Sequence, residues 1–134
     1  AVMCLTLLTS EHGLEHALSA YHPNLPHGAG LIMTSKAYFS YFIRNHGCDD
    51  RFIELARLLG KHDADKPEDF IDALVALQEA CGVADLKMSD YGIKPSEFET
   101  FMHNTREVMG IMFTSDRVQM SDQDIIDIFA ESYR

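Results

Sequence analysis

His12-Gly-Leu-Glu-His16-Ala-Leu-Ser-Ala-Tyr-His22-Pro-Asn-Leu-Pro-His27-Gly28 holds four of the chain's seven histidines. His12 and His16 are four apart, so a helix through them stacks both rings on one face. His27 follows a Pro-Asn-x-Pro break, where the chain must turn. A helix face and a turn-borne histidine can then converge on one point, as a metal ion requires. Neutral imidazole suits zinc, iron, copper and nickel. A catalytic metal usually has three or more protein ligands and an open position. No fourth ligand stands nearby, so the segment by itself reads as half a metal site.

Working outward, the whole chain reads as helix and turn. Ser10 is a suitable N-cap for a helix to about Tyr21, with Glu11 in its first turn and Pro23 beyond its end. Gly28 to about Asn45 carries Leu31, Ile32, Tyr38, Phe39, Tyr41, Phe42 and Ile43. Apolar on more than one side, it reads as a largely buried helix ended by Gly47, with its aromatics as core. Asp49 or Asp50 caps the next helix, whose apolar face is Phe52, Ile53, Leu55, Ala56, Leu58 and Leu59, stopped by Gly60. Asp65-Lys-Pro67-Glu-Asp starts another, with Pro near its first position and acids behind it. That helix carries Phe70, Ile71, Leu74, Val75 and Leu77 to Cys81-Gly82. After a connector from Asp85 to Ile93, Lys94-Pro95 opens a helix through Phe98, Phe101, Met102, Thr105, Val108 and Met109, closed by Gly110. Ser121-Asp-Gln-Asp124 resembles a capping box and opens a last helix with Ile125, Ile126, Ile128, Phe129 and Tyr133. No run alternates with period two over a useful length, so the fold class is all-α.

With 134 residues the chain makes one domain, 1–134. A formal charge of −10 leaves no basic stripe for nucleic acid or an anionic membrane surface. Cys4, Cys48 and Cys81 are odd in number and scattered, which reads as reduced thiols of a cytoplasmic protein. The apolar run from Ala1 to Leu8 is too short to span a bilayer, and no basic segment precedes it. It opens inside an apolar helical pattern without a cap, the mark of a piece of a longer polypeptide. Its Ala1, Val2, Met3, Leu5, Leu7 and Leu8 form an apolar edge that favours a homo-oligomer, a dimer in the simplest case.

A rival constellation is His62-Asp63, the dyad used by metal-dependent phosphohydrolases. Such sites need further His and Asp from other helices, and the spacing of His46, Asp85 and Asp90 does not compel them. A polar interhelical loop explains Lys61 to Lys66 more simply. No phosphate loop or nucleophile elbow is present. The acidic residues fall mostly at helix starts and on polar faces, as in a solvated surface. His103 reads as a surface or interhelix histidine.

The segment from His12 to Gly28 resembles the histidine motif of the iron-containing, group III, metal-dependent alcohol dehydrogenases. That pattern is His-x-x-x-His, an apolar and small stretch, then Pro-His-Gly. It stands here as His12-x-x-x-His16-Ala-Leu and Leu25-Pro26-His27-Gly28. The similarity continues through Asp50-Arg-Phe-Ile-Glu-Leu-Ala-Arg-Leu-Leu-Gly60 and Gly82-Val-Ala-Asp-Leu86. The gap from His16 to His27 is one residue longer than in many members, and the loop around Tyr21-His22-Pro23 absorbs it.

The resemblance implies a two-domain enzyme with an N-terminal NAD- or NADP-binding α/β domain. Its C-terminal part is an all-helical bundle of dehydroquinate synthase-like fold. The divalent metal (iron(II), or zinc or manganese) is held by one Asp and three His. His12 matches the third ligand and His27 the fourth. His16 matches a histidine lining the same cleft beside substrate and nicotinamide, with a catalytic and cofactor-contacting role. The Asp, the first His and the dinucleotide domain have no counterpart in this chain, which corresponds to about the last third of such an enzyme. The implied reaction is hydride transfer between nicotinamide and a small alcohol or aldehyde. With half the ligands, this chain alone is expected to bind metal weakly and to lack activity. Alternatives are a stand-alone, non-enzymatic helical interaction module and a hydrolase built on His62-Asp63.

Overall fold

The computed structural model describes residues 8–134, which form helices and turns with no strand among them. Six α-helices follow in order: α1 (Ser10–Tyr21), α2 (His27–Arg44), α3 (Asp49–Leu58), α4 (Asp69–Ala80), α5 (Phe98–Met109) and α6 (Asp122–Ser132). Single 3-10 turns occupy Met88–Tyr91, Pro95–Glu97 and Gly110–Ser115. α2 is the longest helix and runs through the centre, with α1, α4 and α6 against it, while α5 backs α1 and α3 pairs with α4.

Each helix exists because its apolar residues recur every three to four positions and cover one another's stripes. On α1 the buried stripe is Gly13, Leu14, Ala17 and Leu18. α5 crosses so closely there that a Cβ on Gly13 would sit 2.9 Å from Thr105 Oγ1. The aromatics of α2 are core, as expected: Tyr38, Tyr41 and Phe42 are buried. Phe39 meets Phe70 edge-on at 5.2 Å and so ties α2 to the α3–α4 pair. Phe98, Phe101 and Phe129 join α5 to α6.

The helix ends depart from the sequence reading in instructive ways. Ser10 is the first residue of α1, and Thr9 occupies the cap position without a side-chain bond. The capping role passes to Asp116, whose Oδ1 accepts the Ser10 N–H at 3.1 Å from across the fold. Ser10 Oγ turns inward to the Tyr38 hydroxyl at 3.3 Å. α2 begins at His27, with Pro26 as its cap, and ends at Arg44. Cys48 caps α3, and Asp49 and Asp50 fall inside its first turn, where they face the positive end of the helix dipole. α4 begins at Asp69, two residues past Pro67, and the Asp69 carboxylate accepts the free N–H groups of Asp65 and Lys66. Gly60 and Gly82 take positive φ just past α3 and α4, as helix stops do. Gly110 does not stop its helix: its φ is −53°, and the chain tightens into the 3-10 turn that follows. The Ser121–Asp124 capping box is present with both of its bonds.

Burial also corrects part of the expected core. Leu55, Leu58 and Leu59 of the α3 region are exposed, Leu58 at 81%, and only Phe52 and Ala56 of that helix are buried. Val108 near the end of α5 is 62% exposed, and Leu77 of α4 is exposed too. Cys48 is half-buried and Cys81 exposed, both as free thiols. Cys4 and the apolar edge Ala1, Val2, Met3, Leu5 and Leu7 lie outside the described residues. No helix among the described residues is long and apolar enough to cross a membrane.

Candidate metal centre

Two elements carry the histidines. α1 supplies His12 and His16 one turn apart, with ring centroids 6.3 Å from each other. The connection Tyr21 to Pro26 then reverses the chain so that α2 starts at His27. That connection is anchored at each step. The His22 N–H donates to Leu18 O, the Leu25 N–H donates to His22 O, and the Leu25 side chain is buried. The His22 ring meets Glu97 at 3.1 Å and lies edge-on to Phe101. Pro26 fixes its own φ at −64° and needs no N–H partner, which suits the residue preceding a helix.

This turn brings His27 back over α1. His27 Nε2 lies 3.4 Å from His12 Nε2. The His27 ring centroid is 5.0 Å from that of His12 and 5.4 Å from that of His16. Two nitrogens that each sit about 2.1 Å from one ion at a tetrahedral angle are about 3.4 Å apart. The spacing observed therefore fits a shared divalent cation, and the all-imidazole donor pair fits iron, zinc or manganese in the presence of a carboxylate from elsewhere. His16 and His27 are exposed, so the cluster opens outward.

The other nitrogen of His27 is occupied. Nδ1 hydrogen-bonds Glu15 Oε2, and Ser19 Oγ–H donates to Glu15 Oε1. Glu15 is fully buried, in contrast to the solvated-face reading of the chain's acids. Among the described residues, the one group of three His, Cys, Asp or Glu side chains with mutually close donor atoms is Glu15, His16 and His27. The two Glu15 oxygens already meet Ser19 Oγ and His27 Nδ1, while His12 Nε2 faces the other nitrogen of His27. Sequence reasoning missed Glu15. The signal was available: a glutamate interrupts the stripe of Leu14, Ala17 and Leu18, where a charge needs a partner.

Electrostatics favour neutral, metal-ready imidazole at His12. Burial holds its pKa below the ordinary histidine value; the neighbouring His27 and His16 act in the same direction, and Glu15 partly opposes them. On the same helix, burial pushes the Glu11 carboxyl up to about 7. Glu11 borders an apolar groove between α2 and α4 that is lined by Leu31, Phe39, Leu74 and Leu77.

The remaining candidates do not assemble. His62 and Asp63 are exposed in the turn after α3, and neither belongs to a donor cluster among the described residues. His46 pairs with Asp49 at 2.8 Å, and His103 is exposed on α5. Asp85 and Asp90 lie on the connector after α4, and neither belongs to a donor cluster among the described residues.

No protein-family model matches the chain, and no curated protein matches it by sequence. Solved structures do match. The alcohol dehydrogenase ADH/D1 of an archaeal halo-thermophile from a Red Sea brine pool superposes with a TM-score of 0.78 at 24% identity, over 92% of this chain and 32% of that one. A 1,3-propanediol oxidoreductase gives 0.77 at 20% identity, over 94% and 33%. An alcohol dehydrogenase from Oenococcus oeni gives 0.77 at 23%, over 94% and 33%. The all-helical fold thus matches that of the C-terminal domain of the iron-containing alcohol dehydrogenases. The chain spans about a third of the length of the solved structures it matches.

Proposed function

We propose that this chain contributes part of the divalent-metal and substrate site of an iron-type, NAD(P)-dependent alcohol dehydrogenase. The observation that carries the reading is the approach of His12 Nε2 and His27 Nε2 to 3.4 Å, made by two helices whose fold is shared with alcohol dehydrogenases. A bound divalent ion supplies Lewis-acid polarisation of an alcohol or aldehyde oxygen. His12 and His27 would hold that ion, with their rings fixed by α1 and by the anchored turn into α2. His16, exposed beside them, would exchange a proton with the substrate hydroxyl or pack against the nicotinamide. The substrate would be a small alcohol or aldehyde, and a nicotinamide cofactor, when bound, would supply or accept the hydride.

Two imidazoles are half of the Asp-plus-three-His set that the resemblance implies. The chain taken alone is therefore expected to bind metal weakly and to show no turnover. The test uses the full-length enzyme to which this reading assigns the chain, purified from medium with added iron(II) or zinc. Metal content is measured together with alcohol-dependent reduction of NAD and NADP. One metal per polypeptide and turnover, both lost in His12→Ala and His27→Ala, support the reading. Stoichiometric metal and full activity in either variant would overturn it.

A further inference from the structure

We propose that Glu15 is a positioning residue for His27, fixing its tautomer and ring plane so that Nε2 offers a bare lone pair toward His12. The inference rests on the metal-site reading above and adds the group behind the ligand.

A glutamate in the middle of a buried helix stripe is expensive unless both oxygens are satisfied. Here they are: Ser19 Oγ–H donates to Oε1 from one turn along α1, and His27 Nδ1 meets Oε2 from the start of α2. With both oxygens accepting, the imidazole proton sits on Nδ1. Nε2 is then the unprotonated nitrogen, and it is the one facing His12 at 3.4 Å. An acceptor behind a metal-binding imidazole fixes the ring and raises its basicity toward the ion.

α2 is built to admit this carboxyl. Gly30 lies one turn after His27, and a Cβ there would stand 2.6 Å from Glu15 Cγ and 2.8 Å from Glu15 Oε1. Glu15 would have to shift to make room, and its full burial limits where it can go. The arrangement spends a buried acid on one nitrogen of a ring that is itself 49% exposed.

The test has two readouts on the intact protein. Nitrogen-15 NMR of the imidazoles, without metal, reports the tautomer of His27. Wild type is expected to carry its proton on Nδ1; Glu15→Ala is expected to lose that preference. Titration with Zn2+ or Co2+ alone reports affinity. Glu15→Ala is expected to weaken binding by about 10–100-fold, and the isosteric Glu15→Gln, which keeps a neutral acceptor, by less. Should the alanine variant fail to fold, Glu15→Gln and Ser19→Ala carry the same two measurements. An unchanged His27 tautomer together with affinity within about twofold of wild type would overturn the proposal. If this chain alone takes up no metal, the affinity is read on the full-length enzyme to which the reading assigns it; no uptake there ends the dehydrogenase reading, and the tautomer still decides the role of Glu15.

Discussion

His12 Nε2 and His27 Nε2 lie 3.4 Å apart across the α1–α2 crossing, although 15 positions separate them in the chain. As neutral rings the two can share one N–H between these nitrogens, whereas burial first, and then the neighbouring His27 and His16, hold the His12 pKa down, so charging the rings side by side carries a cost. If a shared cation compensates that cost, the two residues act as a unit. In the intact protein, His12→Ala and His27→Ala should each reduce metal affinity by more than the roughly 10–100-fold typical of losing a supporting hydrogen bond. The double variant should be little worse than either single one, since both remove the same interaction. Full additivity in calorimetric titration would mean that the rings bind independently. His16→Ala should leave the metal in place and lower turnover.

Two glycines three and five positions after Leu25 give a matched pair for testing the α1–α2 contact. At Gly30 an added methyl meets Glu15 at 2.6 Å, while at Gly28 it meets nothing within 4 Å. Gly30→Ala should therefore cost about 1–3 kcal/mol through overpacking, more than offsetting the helix propensity of alanine. Gly28→Ala should be neutral or stabilising by up to about 1 kcal/mol. Urea unfolding of the two variants decides the point, and equal midpoints would show that Glu15 is free to move.

These contrasts also show what the sequence could and could not reveal. The six helices were legible because each carries a stripe with a 3.6-residue repeat, and the repeat is a property of the segment itself. Helix ends were less legible because their partners are remote. Nothing near Ser10 says that Asp116 will accept its N–H, so a serine in the right local context was assigned the cap. Leu58 is apolar but lies two positions past Ala56, on the far side of α3 from Phe52 and Ala56. Leu55 and Leu59 are nearer in phase, yet α3 packs mainly on α4, with Phe52 reaching Phe39 of α2, and that narrow contact leaves all three leucines exposed. The histidine pair was legible from its spacing and its Pro-His-Gly ending. Glu15 was not, because acids were assigned to solvated faces as a class, when its position within the apolar stripe of α1 set it apart.

Asp116 provides a pH test of the fold. Burial holds its carboxyl above the ordinary carboxylate value, against the lowering effect of its bonds from Ser10 and Tyr38. A raised carboxyl is protonated more readily in the folded than in the unfolded chain. Its contribution is thus complete below the ordinary carboxylate value and is lost as pH rises through the folded-state value. Asp116→Asn keeps an acceptor for the Ser10 N–H and cannot ionise. The melting temperature of the variant relative to wild type should therefore be more favourable at about pH 7 than at about pH 4. A relative melting temperature that moves the other way would show that the charged form is the stabilised one, as a dipole-facing acid at a helix N-terminus can be.

Phe101 separates packing from surface charge as sources of stability. It is fully buried on α5, and its ring contacts Tyr21 at 5.6 Å, His22 at 6.0 Å and Phe129 at 5.7 Å. Phe101→Ala should cost about 3–5 kcal/mol, as large-to-small changes in closed cores do. The exposed pair of Arg44 with Glu131, which joins α2 to α6 through contacts of 3.1 and 3.2 Å, should be worth no more than about 1 kcal/mol in Arg44→Ala. The phenylalanine has a second consequence. It supports the end of α1 and the His22 ring, and those groups set where the chain turns toward His27. Phe101→Leu, which keeps most of the volume, should therefore retain the fold and weaken metal affinity, whereas Arg44→Ala should leave affinity unchanged. Equal affinity in the leucine variant and wild type would show that the turn holds His27 in place without the ring beneath it.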